Sequence, residues 1–391
     1  MTTRPRVATA LLLLATMVAG GAVPARADSP GVTAAPVLQV PLGARALGMG
    51  GAFTAVATDA SALEYNPAGL ARLVAHEADF TYIAGAGEST LQDLAYGGPL
   101  PLTGISGNGY ASLGAGVLLS QSGTIQVNQL NADGSPGTSQ SLSAGNDLVL
   151  SGGYAERVGM TPFDKADGTV NVDHFVGIAA KYLHSTLLQT YHADAVAGDI
   201  GYLAHSPELG LSLGAAALNL GSRLRYVDVS DPLPASFRGG VAWQGGVPSV
   251  HNVILAADGE YLLNEKIWHA NIGVEYFWLK MFGVRMGYRF NEGDQGGLTI
   301  GVGYRWKGRI LFDYAYDLGD LLGNAQRVTL SYRFGAVLPS VRGRQRRPYM
   351  ETAPEHEEMP DLEKRQPASD EPAQPRAIPR ESKSGAPGWI Y

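Results

Sequence analysis

The chain has 391 residues, of which 51 are glycine and none is cysteine, and only 17% are charged. A soluble domain carries roughly 25% charged residues, so this composition is unusual for a soluble enzyme. The mean hydropathy of −0.02 is too polar for a bundle of membrane helices. The lack of cysteine excludes disulfides, thiolate zinc sites and cysteine nucleophiles.

Residues 1–27 have the organisation of a secretory signal peptide. Arg4 and Arg6 precede an apolar run from Ala8 to Ala19, and Ala25-Arg26-Ala27 forms a small-residue cleavage site. Without the three arginines of this segment, the chain carries 26 basic and 36 acidic residues, a formal charge of −10. Such an acidic protein offers no surface for a polyanion, so nucleic acid is not an expected partner.

Residues 28–76 do not alternate as strands do, and they contain signals for tight turns and short helices. Ser61-Ala62-Leu63-Glu64 matches a capping box, and Asn66-Pro67 places a good N-cap before a proline. Two short helices and a glycine-rich turn directly before the first strand predict a compact hatch inside a barrel lumen. The motif residues of this hatch are Gly48, Gly50, Gly51, Asn66, Pro67 and Ala68.

Two interpretations of the hatch stay open. Its glycines and the Asn66-Pro67 pair could only shape a compact plug, or the glycine-rich turn could move and gate a hydrophobic path. In the second case the residues expected to contact an apolar ligand are Phe53, Leu63, Tyr65 and Leu70.

Residues 77–335 alternate with period two, which is the signal of β-strands. In residues 282–290, for example, Val284 and Met286 alternate with Arg285 and Gly287. One face is apolar and ends in aromatic residues, while the other carries Gly, Arg, Asp and Ser, as in a transmembrane antiparallel β-barrel. The runs predict fourteen strands, centred near residues 82, 95, 115, 150, 178, 197, 213, 240, 256, 272, 286, 302, 314 and 330.

With both termini in the periplasm, the connections follow the rule of short periplasmic turns and long outer loops. The expected outer loops include Gln121 to Gly145 and Gly221 to Ala235. Pro101 to Asn108 and Arg157 to Asp173 are long but fall on the periplasmic side, so one of them is expected to be a miscounted strand or a folded-back excursion. Residues 336–391 are rich in proline and charge, which predicts a disordered periplasmic tail.

The inward face of the last strands carries charges of both signs. A salt-bridge network that stiffens the lumen or holds the hatch is one interpretation, since buried charges must be paired. A polar lining that selects a solute is another, and an acid/base pair of an enzyme is a third. The residues of this predicted network are Glu275, Arg285, Arg289, Arg305, Asp313, Asp317, Arg327 and Arg333.

Gly210-Leu211-Ser212-Leu213-Gly214 matches the nucleophile-elbow pattern, but that motif needs a turn from strand to helix. Here the alternation continues as a strand, and nothing in the sequence places a histidine beside Ser212. The eight histidines form no H-E-x-x-H pair. We therefore expect a non-enzymatic protein without cofactor or metal.

Leu42 to Leu73 resembles the N-terminal region of the PorV/PorQ family, which is similar to FadL-type outer-membrane transporters. The resemblance rests on Gly48-Met49-Gly50-Gly51-Ala52 and Glu64-Tyr65-Asn66-Pro67-Ala68-Gly69-Leu70, and weaker matches extend to Gly335. It implies a fourteen-stranded outer-membrane barrel with an N-terminal hatch. The charged tail departs from the family pattern.

The resemblance implies two alternative functions. PorV-like relatives serve type IX secretion, which implies secretion-machinery or cargo proteins as partners besides membrane lipid. FadL-like relatives carry long-chain fatty acids and other hydrophobic compounds through the lumen and a lateral wall opening. We take the secretion or envelope-assembly role as the first hypothesis and hydrophobic transport as the alternative.

Overall fold

The computed structural model describes residues 33–335, apart from 86–87, 132–134, 166–167, 248–249, 291–296 and 319–325. The predicted signal peptide at 1–27 and the predicted tail at 336–391 lie outside these residues. Most of the described chain is β-strand, and fourteen of the strands form one closed antiparallel barrel.

Each barrel strand pairs with its neighbours in chain order, and β16 pairs with β1 to close the barrel. The strands are β1 (His76–Ala84), β2 (Thr90–Thr103), β3 (Tyr110–Leu130), β4 (Pro136–Lys165), β5 (Gly168–Leu187), β6 (Tyr191–Ser206), β7 (Leu211–Gly221), β10 (Ser236–Val247), β11 (His251–Leu262), β12 (Ile267–Trp278), β13 (Phe282–Phe290), β14 (Leu298–Trp306), β15 (Ile310–Asp317) and β16 (Gln326–Phe334). Between β7 and β10, β8 (Arg223–Arg225) and β9 (Ser230–Pro232) form a small separate sheet.

The fourteen predicted strand centres all fall inside barrel strands, so the predicted fold class is confirmed. The two faces also divide as the alternation predicts. On β13, Val284 and Met286 are more than half exposed on the outer surface, while Arg285 and Gly287 are buried inside. A closed barrel satisfies its backbone hydrogen bonds internally, and an apolar outer face suits lipid. The architecture is therefore that of a transmembrane barrel.

Two of the long connections are β-hairpins rather than irregular loops. The expected outer loop 121–145 continues the β3–β4 ladder, in which Ser122 pairs with Gly145 and Asn128 with Ser139. Residues 157–173, one of the two long connections expected on the periplasmic side, likewise continue the β4–β5 ladder. This connection is a folded-back extension of β4 and β5 and not an extra strand, so the number of barrel strands is even, as predicted. We call the end of the barrel with the β3–β4 hairpin the hairpin end, and the end where β1 begins and β16 ends the terminal end.

Residues 33–73, which we call the lumen segment, contain four short helical turns: Pro36–Gln39, Ala44–Gly48, Ala62–Tyr65 and Pro67–Arg72. The predicted cap at Asn66 forms, because its side-chain oxygen accepts a hydrogen bond from the Ala68 nitrogen. The predicted capping box at Ser61 is wrong. Ser61 donates to Asp59 instead, and Glu64 turns to the barrel wall, where Lys181 binds its carboxylate.

Among the described residues, no helix has the length and apolar character needed to cross a membrane.

Candidate functional site

The lumen segment packs inside the barrel against two separate parts of its wall. The turn at Gly48, Gly50 and Gly51 lies on β12–β14, and Asn66, Pro67 and Ala68 lie on β5 and β6. A Cβ at Gly177 of β5 would overlap the backbone at Pro67 and Ala68, and a Cβ at Gly287 of β13 would overlap the Gly50 nitrogen. Glycine at these wall positions allows the segment to approach the strands at backbone distance.

Arg45 links the lumen segment to the wall. Its Nε and Nη2 donate to Oε2 and Oε1 of Glu275 at 2.8 and 2.9 Å, and its Nη1 donates to Oδ2 of Asp59 at 2.8 Å. Desolvation lowers the pKa of Arg45, but Glu275 and Asp59 raise it by more, so the net shift is upward. A charged Arg45 therefore holds two parts of the segment against β12.

Asp258 and Asn66 provide two further attachments. Asp258 of β11 accepts hydrogen bonds from the backbone nitrogens of Phe53 and Thr54 at 2.8 and 2.7 Å. The Asn66 side chain donates to the carbonyls of Thr54 and of Tyr202 on β6 at 2.9 and 3.0 Å. Both side chains pair with backbone groups of residues 53–54, which lie between the helical turns, and Asn66 also binds the backbone of β6.

Lys181 of β5 forms a buried polar cluster on the other side of the lumen. Its Nζ lies 2.8 Å from Glu64 of the lumen segment and 3.0 Å from Asp199 of β6. Asp199 also accepts from the backbone nitrogen of Asn219 at 2.6 Å, at an irregularity in the β6–β7 register. The cluster thus joins the segment to a local break in the ladder.

The eight residues of the predicted charge network lie on the inward face of β12–β16, and several of them pair. Arg285 binds Glu275 at 2.7 Å and Asp313 at 2.5 Å. Arg289 pairs with Asp317 on β15, and Arg333 pairs with Glu77 on β1. Arg305 stacks on the ring of Phe277 with 5.0 Å to its centre. Arg327 lines a cavity at the hairpin end.

Several residues of this arrangement are not among those predicted from the sequence, notably Arg45, Asp59, Lys181, Asp199 and Asp258. Each is a single charged residue among small or apolar neighbours in the sequence. That isolation is the one signal that points to them, since a charge in such surroundings has to be paired when buried.

The residues predicted to contact an apolar ligand are enclosed by protein. Phe53, Leu63 and Leu70 are fully buried, and the rings of Phe53 and Tyr65 meet edge to face at 5.2 Å. The Tyr65 hydroxyl donates to the Leu42 carbonyl at 2.8 Å, and burial raises the pKa of Tyr65. Of the four residues, Tyr65 borders the cavity at the hairpin end.

The hairpin-end cavity has a volume of about 480 Å³ and lies between two different walls. Ile83 and Leu91 border it on the side of β1 and β2, while Arg289 and Asp317 border it on the side of β13 and β15. The apolar side continues around the inner face of six consecutive strands. Its buried members are Ile83, Leu91, Leu118, Val149, Leu183 and Ala195, packed with Val37 and Leu42 of the lumen segment and with Leu224 and Leu233 between β7 and β10.

A second cavity, of about 440 Å³, lies at the terminal end, where Arg72 and Leu73 of the lumen segment and Arg305 of β14 line it. The lumen segment lies between the two cavities. Its residues from Ala44 to Leu70 include many that are completely buried, among them Leu47, Met49 and Phe53.

Ser212 lies at the terminal end beside a histidine, a neighbour that the sequence does not indicate. His205 pairs with Ser212 across β6 and β7, and its Nδ1 lies 2.9 Å from the Ser212 Oγ. The strand assignment of residues 211–221 is confirmed, which removes the strand-to-helix turn that a nucleophile elbow needs.

Comparisons with known proteins find a partial match to one family model and similarity to several solved barrels. The model of an uncharacterised protein family (UPF0164) matches residues 16–114. No curated protein sequence matches the chain.

Among solved structures, the toluene transporter TbuX of Ralstonia pickettii is 15% identical over 75% of this chain and 98% of its own, with a TM-score of 0.47. The toluene transporter TodX of P. putida is 13% identical over 75% and 99%, with a TM-score of 0.47. A FadL homologue of Pseudomonas aeruginosa is 11% identical over 75% and 98%, with a TM-score of 0.40. The class of this protein follows from its own fold, a fourteen-stranded barrel with an N-terminal segment in its lumen. The resemblance to PorV/PorQ in particular stays a prediction.

Proposed function

We propose that this protein is an outer-membrane barrel that passes a hydrophobic small molecule through its lumen, with the lumen segment as the gate. The observation that carries the proposal is a band of apolar residues, about one from each of β1–β6, which forms an apolar wall opposite the charged inward face of β12–β16. The same strands also carry paired inward charges away from this band, such as Glu77 and Lys181. The hairpin-end cavity lies between these walls and has the size of a small-molecule site.

The apolar wall supports a hydrophobic solute rather than an ion. The interior of a water-filled barrel is polar, because its inward side chains meet water. Here six consecutive strands place apolar side chains inward, from Ile83 on β1 to Ala195 on β6. Burial of apolar surface stabilises a bound solute by roughly 25 cal/mol per Å², so this wall favours an apolar ligand.

The attachments of the lumen segment support its role as a gate. The segment separates the two cavities, so passage along the lumen requires it to shift. Side-chain ion pairs and hydrogen bonds at Arg45, Glu64 and Asn66 hold it to the wall, and no covalent cross-link is available in a chain without cysteine. Contacts of this kind break and re-form within one fold.

We further propose that the terminal end faces the periplasm, which puts most of the short turns there and the long β3–β4 hairpin outside. The β4–β5 hairpin at 157–173 is the exception, since it is long and lies at the terminal end. The secretion role inferred from the PorV/PorQ resemblance stays a prediction that rests on the resemblance alone.

Uptake by the native bacterium tests the proposal. A strain that lacks the gene and the same strain carrying the wild-type gene are compared for initial uptake of radiolabelled oleate, toluene and glucose. We expect slower uptake of oleate or toluene in the deletion strain, restored by the wild-type gene, with glucose unchanged. Equal uptake of both apolar probes in the two strains would overturn the proposal.

A further inference from the structure

The terminal-end cavity carries a surplus of positive charge, although the whole chain has a formal charge of −7. Glu77 and Glu275 are the carboxylates among the residues that line it. The cationic side chains in the same lining are Arg45, Arg72, Lys280, Arg305 and Arg333. The formal charges of the lining therefore sum to +3.

The two carboxylates are already engaged. Glu275 accepts from Arg45 at 2.8 Å and from Arg285 at 2.7 Å, and Glu77 pairs with Arg333. Within the part of the chain that the structure describes, no carboxylate lies within the 4.0 Å of an ion pair from Arg72 or Arg305. Arg72, Arg305 and Lys280 are thus the cations of this cavity that no carboxylate of the described residues pairs with at this distance. Lys280 is exposed in the turn between β12 and β13, so the two arginines are the unpaired charges that lie partly buried.

Both arginines are partly shielded from water, and a ring contact holds Arg305. Arg305 is stacked on the Phe277 ring, and Arg72 ends the helical turn Pro67–Arg72. Desolvation and the nearby charge of Arg45 lower the pKa of Arg72 to about 10, so it stays protonated at neutral pH. A shielded charge is costly without a partner, and the uncharged polar side chains of Ser212 and Gln244 line the same cavity.

The hairpin-end cavity provides a contrast. Its arginines include Arg238, which pairs with Glu260 at 2.8 Å, and Arg289, which pairs with Asp317. The excess of positive charge is therefore a property of the terminal-end cavity and not of the lumen as a whole.

We infer that the terminal-end cavity is a binding site for a small oxyanion, the phosphate or carboxylate group of a solute, with Arg72 and Arg305 as its principal ligands. A guanidinium group presents paired N–H donors that match the two oxygens of such a group. The inference does not depend on the proposed passage of a hydrophobic molecule, since the arginines line the cavity while the lumen segment is in place.

Calorimetric titration of the purified full-length protein in detergent tests the inference, with sodium phosphate and sodium acetate as probes. We expect saturable binding of at least one of them, weakened at least tenfold by Arg72→Gln and by Arg305→Gln. Arg309→Gln is the matched control, because it removes the same charge at the same barrel end from an exposed residue outside the cavity. It is expected to leave the affinity unchanged.

Broadening of the phosphate ³¹P resonance by the wild-type protein measures binding without any variant, and a heat-modifiable gel band reports whether each variant is folded. Absence of both saturable heat and line broadening would overturn the inference. Equal loss of affinity in Arg309→Gln and in the two cavity variants would overturn it as well, since it would reveal a general surface effect.

Discussion

Arg45 and Glu275, 230 residues apart in the chain, form a two-point ion pair inside the barrel. The same Glu275 carboxylate accepts from Arg285 of the neighbouring strand. One buried acid on β12 therefore binds an arginine of the lumen segment and an arginine of the wall, and each arginine has a second carboxylate partner, Asp59 for Arg45 and Asp313 for Arg285. This shared carboxylate makes the position of the segment and the stability of the barrel depend on each other.

Replacing Glu275 with glutamine is expected to destabilise the protein by about 3 kcal/mol, because Arg45 and Arg285 lose three hydrogen bonds to a charged carboxylate and keep only Asp59 and Asp313 as anionic partners. The free energy of unfolding by guanidinium chloride in detergent measures the effect. Asp194→Asn is the control, since Asp194 pairs with His184 on the exposed surface and the change should have little effect. A loss no greater than that of the control would contradict the assigned role of Glu275.

Asn66→Ala removes a helix cap and the side-chain donor that the Thr54 and Tyr202 carbonyls share. We expect a loss of about 3 kcal/mol in unfolding free energy, measured in the same way. Asn108→Ala is the comparison, because Asn108 also donates two side-chain hydrogen bonds but in an exposed turn. Similar losses at the two positions would show that Asn66 does not anchor the segment.

Gly177→Ala places a methyl group against the backbone at Pro67 and Ala68. Overpacking of this kind costs about 1–3 kcal/mol. The overlap is relieved most simply if the lumen segment moves away from β5. We expect the variant to conduct ions in planar bilayers where the wild type does not. Gly152→Ala, where the methyl group meets open space, should behave as the wild type does. Absence of conductance in the Gly177→Ala variant would contradict tight packing of the lumen segment against β5.

Leu91→Asn introduces a polar group into the apolar wall of the hairpin-end cavity. We expect uptake of the apolar probe to fall several-fold while the amount of folded protein in the membrane stays the same. Ser120→Ala, which changes a polar residue of the same cavity, is expected to leave uptake intact. Unchanged uptake in Leu91→Asn would show that the apolar wall does not contribute to transport.

The barrel could be predicted because its signal is local. Alternation on β13 shows Arg285 and Arg289 on the face opposite Val284 and Met286, and the structure keeps that division. The hairpins at 121–145 and 157–173 could not be told from loops, since their strands carry polar residues on both faces and lack the apolar alternation.

The site was harder to predict because it depends on contacts between distant parts of the chain. The predicted capping box at Ser61 does not form, because Glu64 binds Lys181, 117 positions later in the chain, and not the backbone at the start of its own helix. The His205 neighbour of Ser212 depends on the register of β6 and β7, which the sequence leaves open. The apolar inner wall was overlooked for a related reason, since Ile83 and Leu118 differ in face but not in character from the lipid-facing residues beside them.

A reversible disulfide lock can test whether the lumen segment moves to let a solute pass. A Cβ at Gly48 would lie 3.2 Å from the Gly301 Cα, and a Cβ at Gly301 would lie 3.2 Å from the Gly48 Cα. Cysteines at these two positions are therefore close enough to bond, and the chain has no other thiol.

Initial uptake of the apolar probe is measured in cells that carry Gly48→Cys with Gly301→Cys, first oxidised and then treated with dithiothreitol, beside each single variant. We predict that oxidation abolishes uptake in the double variant, that reduction restores it, and that the single variants respond to neither. Equal uptake by the oxidised and reduced double variant, with the disulfide shown to be formed, would contradict the gating role of the lumen segment.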